Sequence, residues 1–238
     1  MEDLQTIPLL NLSIILLPVI VVIGILYRWS VESGAAAYSI ARMIAQLLLI
    51  GYVLTWIFST QVPGIVLGLL TVMLLAAAWI SLRPLQQKSR QIYFRSLAAI
   101  ALGGTTTLAL IIVAVLDQTP WYAPHVIIPL GGMIFANAMN TVSIAAERFE
   151  AEIESRDYIG ARQQAVKAAM IPQINIMFAV GLVSLPGTMT GQILAGVSPL
   201  IAVRWQIMVM CMIFGSAGIA AAFFLWSMKE PTALEEAP

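Results

Sequence analysis

Apolar stretches long enough to cross a lipid bilayer recur along the whole of this chain, and nothing else constrains its fold as much. Seven can be placed, near residues 8–26, 39–58, 62–81, 96–116, 126–146, 170–186 and 205–227. A helix of about twenty residues rises about 30 Å, the thickness of the hydrocarbon layer. Inside lipid every backbone N–H and C=O needs an internal partner, which leaves helices or a closed barrel. A barrel needs short alternating strands, and no such pattern is visible. Composition agrees. Of 238 residues, 60% are hydrophobic and 10% charged, and the mean hydropathy is +0.92, more apolar surface than one soluble core could hide. The predicted fold class is an all-α integral membrane protein of about seven transmembrane helices, forming one transmembrane domain over residues 1–238. The sixth span is short and bounded by Pro172 and Pro186. Six full spans with a broken or re-entrant half-helix is therefore the alternative.

The first apolar run follows Met-Glu-Asp rather than a basic segment and precedes no small-residue cleavage site. It is read as a retained span. Lys and Arg in short loops set sidedness. Segment 82–95 carries Arg83, Lys88, Arg90 and Arg95 without an acid, so it is placed in the cytoplasm. Segment 117–125, with Trp121 and Tyr122 suited to an interfacial belt, falls outside. Arg28 and Lys229 then lie inside and Glu2 and Asp3 outside, giving an outer N-terminus and a cytoplasmic C-terminus in the cell membrane. Arg204 falls on the outer side, against the rule. A formal net charge of zero offers no basic field for nucleic acid. One cysteine, Cys211, lies inside an apolar run and supports no disulfide or thiol cluster.

The most charged segment, 146–169, "AERFEAEIESRDYIGARQQAVKAA", separates two apolar spans. Each of its charges would cost at least about 2.5–3.5 kcal/mol in lipid, so the segment belongs in the cytoplasm. Arg148, Glu152 and Arg156 follow one another at helical i, i+4 spacing, and Phe149 and Ile153 form a short apolar stripe. Gly160 is read as ending or bending this helix after Ile159. Two readings stand: a solvated connector, or a docking helix that transmits force from a soluble partner.

Polar residues inside the spans make further candidates. In span five, Met133, Asn137, Asn140 and Ile144 share a helical face, with Ser143 close by. Two asparagines on one face suit either interhelical hydrogen bonds or a substrate path. Gln173 and Asn175 follow Pro172, which lacks the backbone N–H that would satisfy a carbonyl one turn earlier. Pro186, Gly187, Gly191 and Gly196, with Thr188, Thr190 and Gln192, make a second irregular polar patch. Broken helices lining transport paths use such residues, and a turn with ordinary caps is the plainer reading. The path candidates are Asn137, Asn140, Gln173, Asn175 and Gln192; the hinge candidates are Pro172, Pro186, Gly187 and Gly191. The methionines near these spans suit soft Cu(I) as ligands or flexible packing in the core. His125, the one histidine, is read as interfacial, with an exit-side contact to a cation as the alternative, and the metal site is left unknown. Arg42 near the start of span two is read as snorkelling to the inner surface, with a gating charge as the alternative.

Nothing in the chain matches the nucleotide-binding P-loop. The glycine-rich "GTMTGQILAG" at 187–196 has no lysine. The chain by itself is therefore not expected to be an enzyme or to carry a cofactor.

Glu154 followed six residues later by Gly160 resembles the EAA signature of ABC-transporter permeases, departing from it at Ser155 and Arg156 and in an early Pro172. The block "AAMIPQINIMFAVGLVSLPGTMTGQILAGVSPLIAVRWQI" (168–207) and "GGMIFANAMNTVSIA" (131–145) resemble the FetB family of ABC permeases, an iron-export class related to plant metal-tolerance permeases. The resemblance implies a permease subunit working with a separate ATPase that holds ATP and Mg, and moving metal, iron first, outward. It implies a coupling helix within 146–169, with Glu154, Arg156, Gly160 and Arg162 as docking residues. A permease homodimer with two ATPases follows, because two ATPases that close on each other need two docking helices. An organic cargo, a self-contained secondary transporter or channel, and a scaffold for a soluble partner are the rivals.

Overall fold

The computed structural model describes residues 8–30, 33–59 and 62–228. Contacts divide the chain into two units, 1–59 and 60–238. The expected outer residues Glu2 and Asp3 and the expected inner Lys229 lie outside the described residues.

The first unit contains α1 (Leu9–Ile14), α2 (Leu16–Arg28) and α3 (Ser33–Ser59). Pro18 lacks the N–H that would reach the Ile14 carbonyl one turn earlier, and α1 stops at Ile14. Arg42 in α3 is exposed and makes no ion pair among the described residues.

The second unit contains α4 (Pro63–Ser81), α5 (Arg90–Leu110), α6 (Pro124–Ile153), α7 (Tyr158–Ala179), α8 (Gly187–Leu194) and α9 (Pro199–Ser227). Proline opens α4, α6 and α9, where the missing N–H costs nothing. Ser89 and Asp157 cap α5 and α7 with their side chains. The last turn of α5 widens into a π-helix over Ile111–Val115. Helix α6 is central and packs on α4, α5, α7 and α9. Small residues permit this closeness, as is usual between membrane helices. A Cβ on Gly103 of α5 would lie 2.5 Å from the Ser216 carbonyl oxygen and 2.9 Å from the Ala220 nitrogen, both on α9. A Cβ on Gly104 would meet the Phe135 ring at 2.7 Å. The buried Ser81 and Ser96 hydroxyls share a hydrogen bond of 2.6 Å between α4 and α5.

Among the described residues, six helical stretches are long and apolar enough to cross a membrane: Asn11–Arg28, Ser33–Ser59, Pro63–Ser81, Arg90–Val115, Pro124–Ile153 and Pro199–Ser227. The expected span over 170–186 is not a helix of its own. Its residues are divided among the end of α7, a turn over 180–186, and the approach to α8. Helix α7 starts twelve residues earlier than that span, in charged sequence, because Asp157 caps it there. Its apolar part, 168–179, is about 18 Å long as a helix, well short of the hydrocarbon thickness. Gly181, at φ +85°, turns the chain after it.

Candidate functional site

Two arrangements gather most of the residues singled out from the sequence. One is an elbow between α6 and α7; the other is a polar face higher on the same helix pair.

The elbow is the break expected within 146–169, but it falls a few residues before the expected bend after Ile159. Helix α6 ends at Ile153, residues 154–157 turn, and α7 begins at Tyr158. The break therefore falls before Gly160, which sits in the first turn of α7. Asp157 explains this: its Oδ1 accepts a hydrogen bond from the Gly160 N–H at 3.0 Å. A Cβ on residue 160 would lie 2.8 Å from that same oxygen. Glycine thus serves the start of a helix here rather than an end.

The predicted i, i+4 ion pairs both form. The Glu152 carboxylate, 8% exposed, takes Arg148 on one oxygen at 2.5 Å and Arg156 on the other. One acid thereby ties the last full turn of α6 to the turn that follows. Phe149 is buried with its ring edge-on to Tyr158 at 6.0 Å. The Tyr158 hydroxyl donates to the Leu225 carbonyl at 2.9 Å, pinning the elbow to the end of α9. Arg162 lies over the Tyr158 ring at 5.5 Å. Glu154 and Arg156 are exposed, as are Ile153 and Ile159.

Glu150 makes a connection that the sequence reading missed. Its two carboxylate oxygens accept the backbone N–H groups of Gln86 and Gln87 at 3.0 and 3.1 Å. The α4–α5 loop, the elbow and the end of α9 therefore meet at one end of this unit. A cavity of about 790 Å³ opens among them, lined in part by Arg95, Glu150, Glu154 and Tyr158. Nothing in local sequence pairs Glu150 with a loop more than sixty residues away; its one signal is an acid in a predicted inner segment opposite a basic loop.

Higher up, Asn137, Asn140, Ser143, Pro172 and Gln173 line a cavity of about 300 Å³ between α6 and α7. Buried Gln173 donates from Nε2 to the Thr141 hydroxyl at 3.1 Å. Thr141 donates to the Asn137 carbonyl at 2.9 Å, and the Asn137 amide donates to the Met133 carbonyl at 2.9 Å. Asn140 is exposed at the cavity edge. Thr141 was missed in the sequence, although it lies one turn beyond Asn137. Asn175 is exposed and does not line this cavity. Gln192 lies apart on α8, with its Oε1 buried and without a hydrogen-bond partner. Near it Thr188 donates to Gln206 of α9 at 2.7 Å.

The hinge candidates divide. Pro172 is inside α7 and does not break it. Pro186 precedes α8, while Gly187 and Gly191 are within that helix. The backbone positions that require glycine are Gly181 and Gly196, at φ +85° and +89°.

Chemically, the polar face offers amide and hydroxyl oxygens, weak ligands for a hard cation or hydrogen-bonding groups for a polar solute. Among the described residues no group of three or more His, Cys, Asp or Glu could hold a metal ion.

A helical unit with apolar spans and no strand among the described residues defines a multi-pass α-helical membrane protein. The chain belongs to the uncharacterised protein family UPF0014, whose profile matches residues 9–161 and 157–231. It is 36% identical over 199 residues to a UPF0014 membrane protein of Synechocystis, covering 76% of each chain. It is 31% identical over 230 residues to the "Probable iron export permease protein FetB" of Escherichia coli, covering 89% of this chain and 86% of that one. Against the "Protein ALUMINUM SENSITIVE 3" of Arabidopsis thaliana the identity is 32% over 230 residues, covering 87% and 83%. No solved structure matches.

Proposed function

We propose that this chain is the membrane-spanning subunit of an ATP-driven ABC exporter, with residues 1–238 acting as one permease domain and its cargo a metal ion, iron first. ATP and Mg belong on a separate ATPase subunit, and two copies of this chain with two ATPases form the working unit in the cell membrane, the C-terminus in the cytoplasm. The observation that carries the reading is the elbow. It is braced internally through Glu152 and tied to α9 through Tyr158. Yet it leaves Glu154, Arg156, Ile153 and Ile159 exposed. Exposed isoleucines between charges suit a protein contact better than either water or lipid. The relative named "Probable iron export permease protein FetB" supports the cargo.

Closure of the ATPases pushes on the elbow. The rigid α6–α7 pair then moves as a unit and carries the Asn137–Thr141–Gln173 face with it. That face offers neutral oxygen contacts, weak enough to release a cation at the exit. The test is transport into inside-out vesicles containing the chain and its ATPase, comparing Fe(II), other divalent ions and organic solutes. ATP-dependent Fe(II) uptake is the expected result, and uptake of organic solutes alone refutes the metal cargo. Glu154→Lys and Gly160→Pro are expected to abolish ATPase stimulation while membrane insertion stays normal. Full stimulation in both would refute the docking assignment.

A further inference from the structure

On the α4–α5 corner, separate from the elbow cavity and the polar face, a pocket of about 320 Å³ is lined by Trp79, Arg83, Lys88, Ser89, Arg90 and Tyr93. Three cations line it, no acid does, and none of the three makes an ion pair among the described residues. The nearest acid along the loop contact, Glu150, is already engaged by the Gln86 and Gln87 N–H groups. Ser89 caps α5 by accepting from the Ile92 N–H at 3.1 Å, so the pocket sits at the positive end of a helix of 21 residues. Trp79 and Tyr93 meet edge to face at 6.3 Å, and Trp79 is 71% exposed. They stand at the ends of two apolar spans, where amphipathic rings mark the lipid headgroup level.

We propose that this pocket binds the phosphate headgroup of an anionic phospholipid. Arg83, Lys88 and Arg90 surround the phosphodiester, and Trp79 and Tyr93 hold the glycerol end at the membrane interface. Guanidinium groups bind phosphate oxygens through charge-assisted hydrogen bonds. Basic pockets at the cytoplasmic ends of membrane helices take acidic headgroups for the same reason. The volume suits a headgroup whose acyl chains stay in the bilayer, being near the lower limit for small-ligand sites. The site stands independently of the transport reading.

The experiment uses the full chain purified in neutral detergent. Native mass spectrometry counts retained phosphatidylglycerol, and thermal melting is followed with added phosphatidylglycerol, phosphatidylcholine or inorganic phosphate. The chain is expected to retain phosphatidylglycerol and to melt higher with it than with phosphatidylcholine. Removing each cation weakens binding about fivefold, and removing all three on the order of a hundredfold. The variant Arg83→Gln/Lys88→Gln/Arg90→Gln is therefore expected to lose the retained lipid. A control, Lys167→Gln/Arg204→Gln, is expected to keep it. Should the triple variant melt early in phosphatidylcholine, Lys88→Gln and Arg90→Gln alone, both at exposed residues, make the same comparison. Unchanged retention in the variants overturns the site. Equal protection by inorganic phosphate overturns the lipid assignment in favour of a free phosphate-bearing solute.

Discussion

Gly160 and Asp157 show how much one atom decides at the elbow. The sequence contains a glycine six residues after an acid, and glycine alone reads as a helix end. The structure instead places it under the Asp157 carboxylate, where a Cβ would lie 2.8 Å from the capping oxygen. Gly160→Ala is therefore expected to displace the cap, and Asp157→Ala to remove it. Each costs about 0.5–2 kcal/mol, visible as earlier unfolding in detergent and faster proteolysis at 154–157. Glu152 behaves differently. Its carboxylate is buried, but the arginines it holds are 46% and 50% exposed at their side chains, so they can return to water. Glu152→Gln should then cost only about 1 kcal/mol in thermal or chemical unfolding, the scale of a surface pair rather than a buried one.

At the scale of elements, α5 and α9 approach through Gly103, and α6 and α7 through a chain of hydrogen bonds. Gly103→Leu forces side-chain atoms into the α9 backbone, and overpacking of this kind costs at least about 1–3 kcal/mol. Gly215→Ala, with nothing within 4 Å of its Cβ position, is the matched control and should be neutral or slightly stabilising in the same unfolding assay. Between α6 and α7, Gln173→Leu leaves Thr141 without its donor. In the transport assay it is expected to lower cargo flux several-fold, about 1 kcal/mol or more on the cation contact, while ATPase binding stays at the parent level. Apolar run length made α4, α5, α6 and α9 legible, because each presents an unbroken run near membrane thickness. It failed for α7, whose start is set by a cap in charged sequence and whose end is set by Gly181. A hydropathy window averages over both signals.

For the whole molecule, the segments assigned to the inner face by their charge, 82–95 and 146–169, meet at one end of the second unit through Glu150 and the Gln86 and Gln87 amides. Glu150→Ala should loosen the α4–α5 loop, raising amide exchange over 84–89 while exchange within α9 is unchanged. The asparagine face was legible because Met133, Asn137 and Asn140 follow one another at i, i+4 and i+7. Its partner was legible only as a residue type near a proline. Sequence alone determined that this is a multi-pass helical membrane protein with a charged segment kept out of lipid. Those properties follow from transfer free energies summed along the chain, which need no knowledge of neighbours. Tertiary structure decided which polar groups face each other, where the elbow turns, and that Asn137, Asn140 and Gln173 share one cavity while Asn175 and Gln192 do not. Such choices rest on distances between helices far apart in sequence, and a one-dimensional pattern contains no record of those distances.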